Sequence, residues 1–277
     1  MSVMKNQQVI LRLFRLASVV YLGFIGILFV LQREIIFLPA GYSEQQGRAL
    51  AEERGLLFWK QEGVFHGWKD VVEGGETAAL IFHGNAGGAV HRDYFRDLFR
   101  NVDGGMNISV YLLEYPGYGF REGRPSEEMF REAALKAYDA IYERYRTLLL
   151  VGESIGSGTA TRLATEREVD GVLLITPFNR LSAVAAHHYP WLPVRLLLRD
   201  HFRNDKHLQE FSGPVAFVVA GRDRVIPFQL ALDLYEGYDG PKLWRLQEQA
   251  DHNSIFFGSG KFWAEVMRFL LHGPVAD

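Results

Sequence analysis

From residue 56 to residue 247 the chain repeats one alternation. A short run of apolar and β-branched residues is followed by a longer stretch in which apolar residues recur every three or four positions. Strands are predicted at 56–60, 64–71, 78–83, 109–114, 148–152, 172–176, 215–220 and 243–247. The later runs, LLLV and VAFVVA among them, are apolar without a break, as strands buried on both faces of a parallel sheet are. Between them, Ser126 caps a predicted helix with Glu127 and Glu128 in its first turn, near the positive end of the helix dipole. Phe130, Ala133, Ala137 and Ile141 make its apolar face, and Phe262, Val266 and Leu270 repeat the device near 261–271. Strands and helices alternating at this spacing predict a doubly wound α/β domain with a mostly parallel sheet.

The N-terminus is different material. Residues 16–31, LASVVYLGFIGILFVL, carry no charge, and Arg15 and Arg33 bracket the run. At 1.5 Å per residue the bracketed stretch makes ~26 Å of helix, slightly short of a ~30 Å hydrocarbon core. Snorkelling by Arg12 and Arg15 lets residues 9–13 lengthen the span. A buried core helix would show polar positions every turn, and a cleavable signal would show a small-x-small site after the run; neither pattern is present. One uncleaved span is expected, with 1–33 as a membrane anchor. Lys5, Arg12, Arg15 and the α-amine precede it, and Arg33 and Arg48 follow. The positive-inside bias then leaves the N-terminus cytoplasmic and the rest of the chain extracytoplasmic.

Residues 34–277 read as one domain. The stretch 177–212 is too long for a plain crossover and contains Tyr189, Pro190, Trp191 and Pro193, so a small helical cap over one sheet end is predicted there. With 30 Lys+Arg against 33 Asp+Glu among 277 residues, the chain offers a nucleic-acid backbone little, and nucleic-acid binding is not expected. The absence of cysteine removes disulfides, thiolate metal sites and cysteine nucleophiles together.

Gly152-Glu153-Ser154-Ile155-Gly156 joins a predicted strand to a predicted helix. Glycines flanking the serine permit a turn that pushes the hydroxyl out at a helix N-terminus. Such a pattern arises by chance in roughly one chain in ten of this size, so context must carry it. After the strand AFVVA comes Asp223 on a turn, and after LWRLQ comes His252 in a loop before the last helix. Ser154, Asp223 and His252 thus stand each at the C-terminal end of a predicted strand, in nucleophile–acid–histidine order. A serine hydroxyl is a weak nucleophile until an imidazole takes its proton, and the imidazole needs an acid to orient it. Asp251 is the rival acid, but side chains adjacent in an extended loop point apart, which favours Asp223.

The strand ALIF ends in HGNAGG, residues 83–88. Acyl transfer needs two N–H groups on the developing oxyanion, and Ile155 and Asn85 are the expected donors, with Ala86 next to Asn85 as the neighbouring choice. His83 is read as structural. The loop matches no phosphate-binding glycine motif and no histidine pair has zinc-ligand spacing, so neither a cofactor nor a metal is expected.

HGNAGG, EYPGYGFREGRPSE, GESIGSG, TPF, PWLPVRLLLRDHF, AGRDRVIP and DHNS, in that order, resemble the α/β-hydrolase superfamily over about 33–271. The membrane-anchored branch similar to bud-emergence-type and serine aminopeptidase-like hydrolases is the nearest in pattern, and its members carry one hydrophobic helix before a segment like QREIIFLP. The resemblance implies an α/β-hydrolase fold, Ser154, Asp223 and His252 as a catalytic triad, and oxyanion donors at Ile155 and Asn85. A serine hydrolase acting on carboxylic esters or thioesters, small acyl esters or lipid-like ones, is the leading expectation. A peptidase or amidase with the same residues and a non-catalytic tethered binding module stay open beside it. Tyr189 and Trp191 in the cap are expected to bind substrate by lining an acyl pocket.

Overall fold

The computed structural model describes residues 2–102, 105–255 and 259–273. Two short strands, β1 (Leu38–Pro39) and β5 (Ala86–Gly87), pair with each other apart from the main sheet. The main sheet holds β2 (Leu57–Gln61), β3 (Val64–Asp70), β4 (Thr77–Phe82), β6 (Ile108–Leu113), β7 (Thr147–Glu153), β8 (Gly171–Ile175), β9 (Val215–Ala220) and β10 (Lys242–Gln247). Their order is β10-β9-β8-β7-β4-β6-β3-β2; β2 and β3 pair antiparallel, β3 and β6 likewise, and the rest are parallel. Every predicted strand is present, with no bound displaced by more than one residue.

Alternation within the strands feeds two cores. Ala78, Leu80 and Phe82 of β4 point to one face, where α4 (Glu127–Asp139), α5 (Gly156–Glu166) and α9 (Phe228–Glu236) pack. Ala79 and Ile81 point to the other, against α2 (Glu44–Glu53), α3 (Tyr94–Arg100) and α10 (Gly260–His272). Ser126 caps α4 as expected, its Oγ accepting the Met129 N–H at 3.2 Å, and Phe130, Ala133 and Ala137 are buried. Between β8 and β9 the chain forms α6 (Leu181–His188), α7 (Val194–Leu197) and α8 (Asn204–Leu208), which is the helical insertion expected within 177–212.

Topology places the site. β4 leads to β6 on one side, while β7, paired to the other side of β4, leads away to β8. Connections that part in opposite directions leave a crevice above the strand ends, the place where such sheets bind ligands. Phe82 and Gly152 are register partners there, so the loop after β4 and the turn after β7 stand side by side.

α1 (Ser2–Ile36) is 35 residues long, about 52 Å of helix. Among the described residues, its stretch Asn6–Ile36 is the helix long and apolar enough to cross a membrane, and the most apolar 18 residues within it have a mean hydropathy of 2.2. Leu16, Val19, Val20 and Val30 stand more than 60% exposed on it, a concentration of apolar surface that a water-facing helix does not carry. Helix continues past the predicted boundary at residue 33. It ends where Phe37 enters the core between Phe130 and Phe202, with ring centroids 5.3 and 6.3 Å away.

Candidate active site

β7 ends at Glu153 and α5 begins at Gly156, which leaves two residues to reverse the chain. Ser154 takes the strain, with φ of 53°, a region costly for a residue with a Cβ. Its N–H donates to the Ile175 carbonyl at 2.8 Å, and its own carbonyl accepts from the Ser157 N–H and hydroxyl at 3.0 and 2.6 Å. Steric crowding explains the flanking glycines. A Cβ on Gly152 would stand 2.6 Å from Ser157 Cα, and one on Gly156 would stand 2.1 Å from the Phe82 carbonyl oxygen.

His252 comes down beside this turn. Its Nε2 lies 3.1 Å from Ser154 Oγ and its Nδ1 lies 2.7 Å from Asp223 Oδ2. Since a carboxylate only accepts, Nδ1 carries the proton and Nε2 presents its lone pair to the Ser154 hydroxyl. Asp223 is itself fixed: Oδ1 accepts the Val225 and Ile226 N–H groups, each at 2.8 Å, and the side chain is 2% exposed. Asp251 turns away onto its own loop, where Oδ1 accepts the Asn253 and Ser254 N–H groups at 2.9 and 3.0 Å. These bonds to the Asn253 main chain and Ser254 hold its carboxyl below the usual range. An open cleft of about 360 Å³ adjoins His252, with Arg222 and Arg224 on its rim.

The loop after β4 is held from several sides. Asn85 donates its side-chain amide to the Ile36 carbonyl, while its Oδ1 accepts the Leu38 N–H at 3.1 Å. Tyr118 Oη donates to the Asn85 carbonyl at 2.9 Å. With side chain and carbonyl so committed, the Asn85 main-chain N–H is left without a protein acceptor among the described residues, and so is that of Ile155. His83 is buried under the loop, as expected for a structural residue, its Nδ1 donating to the Gly84 carbonyl at 2.7 Å.

Several residues of this site were not anticipated. Arg92 donates to Glu153 at 2.8 Å and to the Ala86 carbonyl at 3.1 Å, so one guanidinium clips the HGNAGG loop to the residue before Ser154. Tyr94 Oη also donates to Glu153, at 2.9 Å. Burial works to raise the Glu153 carboxyl, but Arg92 and Tyr94 outweigh it and hold the group below the usual carboxylate range. Glu114 is fully buried and behaves alike: burial opposes ionisation, yet His83, the Tyr42 hydroxyl and the Ala89 N–H keep its carboxyl low. Behind the turn, Asn204 of α8 donates to Ser157 Oγ at 2.9 Å and to the Phe178 carbonyl at 2.8 Å. The one local signal was Glu153 inside the glycine–serine motif; its partner lies 61 residues away.

Tyr189 and Trp191 are 49% and 56% exposed, and they stand against α1. Phe24 stacks on Trp191 with centroids 5.9 Å apart, and Tyr21 Oη donates to the Trp191 carbonyl at 2.9 Å. The structure therefore brings Ser154, Asp223 and His252 together and places the two cap aromatics at the junction with the apolar helix.

Known proteins share this arrangement of strands. The model of the alpha/beta hydrolase family matches residues 79–246. An uncharacterised Mycobacterium tuberculosis protein is 29% identical over 264 residues, 92% of each chain. The lysophosphatidylserine lipase ABHD12 of Macaca fascicularis is 30% identical over 203 residues, 65% of this chain and about half (50%) of that one. Among solved structures, a Pyrococcus furiosus esterase superposes with a TM-score of 0.60 at 14% identity, covering 85% of this chain and 97% of its own. Est1E from Butyrivibrio proteoclasticus, with ferulic acid bound, gives 0.58 at 13% identity, over 78% and 98%. The matched span runs from inside β4 nearly to the end of β10 and takes in the switch point where the strand ends gather Ser154 and the HGNAGG loop: the chain belongs to the alpha/beta hydrolase family.

Proposed function

We propose that this hydrolase cleaves a carboxylic ester or thioester of a lipid-like molecule through an acyl-enzyme on Ser154. The observation that carries the reading is the hydrogen-bonded series Ser154–His252–Asp223, at 3.1 and 2.7 Å. His252 Nε2 takes the hydroxyl proton as Ser154 Oγ bonds to the carbonyl carbon, and the carbonyl oxygen becomes an oxyanion. The uncommitted N–H groups of Ile155 and Asn85 stabilise that charge, a contribution that grows only as the transition state forms. The tetrahedral species collapses, His252 gives its proton to the departing alcohol or thiol, and the acyl group stays on Ser154. Water then attacks the acyl-enzyme with His252 again as base, releasing the acid and restoring the serine. Asp223 holds the imidazole in the working tautomer throughout.

The lipid-like character of the substrate is supported by the apolar helix α1 beside the cap and by the likeness to a lysophosphatidylserine lipase. In the same reading α1 anchors the protein in a membrane. A fluorophosphonate probe should label the protein at one site, and Ser154→Ala should abolish the label and cut ester turnover by roughly 10⁴–10⁶ while the fold is retained. Ester hydrolysis unchanged in that variant would sink the mechanism.

A further inference from the structure

Where α1 meets the cap there is a crevice of about 220 Å³. Phe24, Leu28 and Ile36 form one wall, and Tyr189, Trp191 and Leu197 are on the other. Gln32 also borders it, but its amide is already used: Nε2 donates to the Phe29 and Leu197 carbonyls at 2.8 and 3.1 Å, and Oε1 accepts the Arg199 N–H at 2.8 Å. A space so lined offers water few partners and suits hydrocarbon. We infer that this crevice takes a hydrocarbon chain of a lipid ester that enters from the membrane leaflet. The inference rests on the lipid-ester reading above and specifies the site's substrate and its route.

Two further observations favour a membrane lipid as the occupant. The bond from Tyr21 to the Trp191 carbonyl sets the cap tip beside the middle of the charge-free run, about 18 Å along the helix axis from Arg33. Any bilayer that takes up that run therefore takes up the cap tip too. The tip is made for it: Leu196 is 85% exposed and Trp191 56%. Large exposed apolar groups next to an apolar helix mark a lipid-facing surface.

The walls of the crevice also lead to the chemistry. Ile36 borders the crevice, and its carbonyl is the acceptor for the side chain of Asn85, whose N–H is the proposed oxyanion donor. On the other side α6 ends at His188, whose Nε2 donates to the Val225 carbonyl at 2.8 Å, two residues from Asp223. Each wall of the crevice is thus hydrogen-bonded, directly or through the end of α6, to one of the two loops that carry the proposed oxyanion donor and the proposed acid.

The test uses full-length Ser154→Ala protein in phosphatidylcholine nanodiscs. The probe is a lysophosphatidylcholine with a diazirine at the end of its palmitoyl chain, and the crosslinks are mapped by peptide mass spectrometry. No turnover is required, so the result is separate from the identity of the nucleophile. Adducts should concentrate on 185–198 and on the facing side of α1. Leu28→Trp and, independently, Leu197→Trp fill the crevice and should cut the cap adducts at least fivefold. Adducts confined to α1 before residue 21, or cap adducts undiminished in both filling variants, overturn the inference. Cap adducts in a protein whose Ser154 form hydrolyses nothing uphold the crevice and remove the hydrolase reading; hydrolysis of the lipid without cap adducts does the reverse.

Discussion

Arg33 holds Asp200 in a two-point pair, Nε to Oδ2 at 2.7 Å and Nη2 to Oδ1 at 3.0 Å. The same Oδ1 accepts the Glu127 N–H at 3.0 Å, at the start of α4, while the Glu127 carboxylate accepts the His201 and Phe202 N–H groups at 2.6 and 3.0 Å. The last turn of α1, the cap and α4 are thus joined through one carboxylate that is 2% exposed. Truncation between residues 33 and 34 cuts through this junction.

Arg33→Ala should destabilise the protein by about 1–3 kcal/mol. Breaking a buried pair from one side leaves a desolvated charge, but the one-third exposure of Arg33 lets water reach part of it. Thermal melts in detergent give the measurement, and Arg33→Ala with Asp200→Asn should recover part of the loss. A single variant that melts with the parent would make α1 a tether without a structural role in the domain.

The acid beside the histidine is the second prediction. Asp223→Asn keeps the shape of the turn but stabilises the wrong imidazole tautomer, and the rate should fall by roughly 10⁴. Asp251→Asn only weakens a local turn, since both N–H contacts of its carboxylate lie within its own loop, and it should cost far less. The opposite ranking in ester hydrolysis reassigns the acid.

Arg92 is a positioning residue. Losing it frees the Ala86 carbonyl and leaves Glu153 without its cation, next to the two residues proposed as oxyanion donors. Arg92→Ala should lower kcat tenfold or more with KM little changed, because the interaction lost is made mainly in the transition state. Arg92→Lys, with a single nitrogen where the guanidinium uses Nε and Nη2 for its two contacts, should restore part of kcat. A fall in stability with kcat intact would leave Arg92 a purely structural brace.

Acid should lower the stability of the protein over two successive pH ranges. Burial first, then nearby cations, push His66 and His207 down to about 4. Below pH 6.5 the unfolded chain takes up protons that the folded imidazoles refuse, so stability complete above pH 7 declines as pH falls from 6.5 towards 4. Each histidine should contribute about 1–2 kcal/mol of that loss by pH 5. Glu114 and Glu153, whose carboxyls are held low in the fold, add a further loss below about pH 4.5, again as pH falls. Urea midpoints at pH 7.5 and 5 check the loss over the first range, and His207→Gln should flatten part of it; equal midpoints in the parent would contradict it.

Much of the sheet was legible because strands buried on both faces must be apolar throughout, and β8 and β9 are buried at every position. Direction was less so. Nothing in the 64–71 pattern distinguishes an antiparallel β3, which is set by the Glu62–Gly63 turn with φ of 51° and 82°. Ser154, Asp223 and His252 could be read because each closes a strand within a few residues. The braces could not: Arg92 with Glu153 and Asn204 with Ser157 join loops whose distance along the chain leaves no period to detect. The grip of the cap on α1 is hidden for the same reason, since a helix apolar on all sides does not reveal which side has a partner.

Chain length should govern turnover. If the crevice between α1 and the cap receives the acyl chain, each methylene that enters it gains up to ~0.8 kcal/mol, and kcat/KM should rise three- to fourfold per carbon until the space is full. The rise stops when added carbons reach past the crevice, so the profile should break over to a plateau. Trp191 covers one wall and stacks on Phe24, so Trp191→Ala should flatten the slope and lower the ratio of long-chain to acetyl-ester kcat/KM about tenfold. A series of p-nitrophenyl esters from acetyl to palmitoyl, presented in mixed micelles to keep the long chains dispersed, measures both. A flat profile in the parent enzyme would make the contact between Trp191 and α1 plain packing, and substrates would then be sought among short or polar esters reaching Ser154 from the open cleft beside His252.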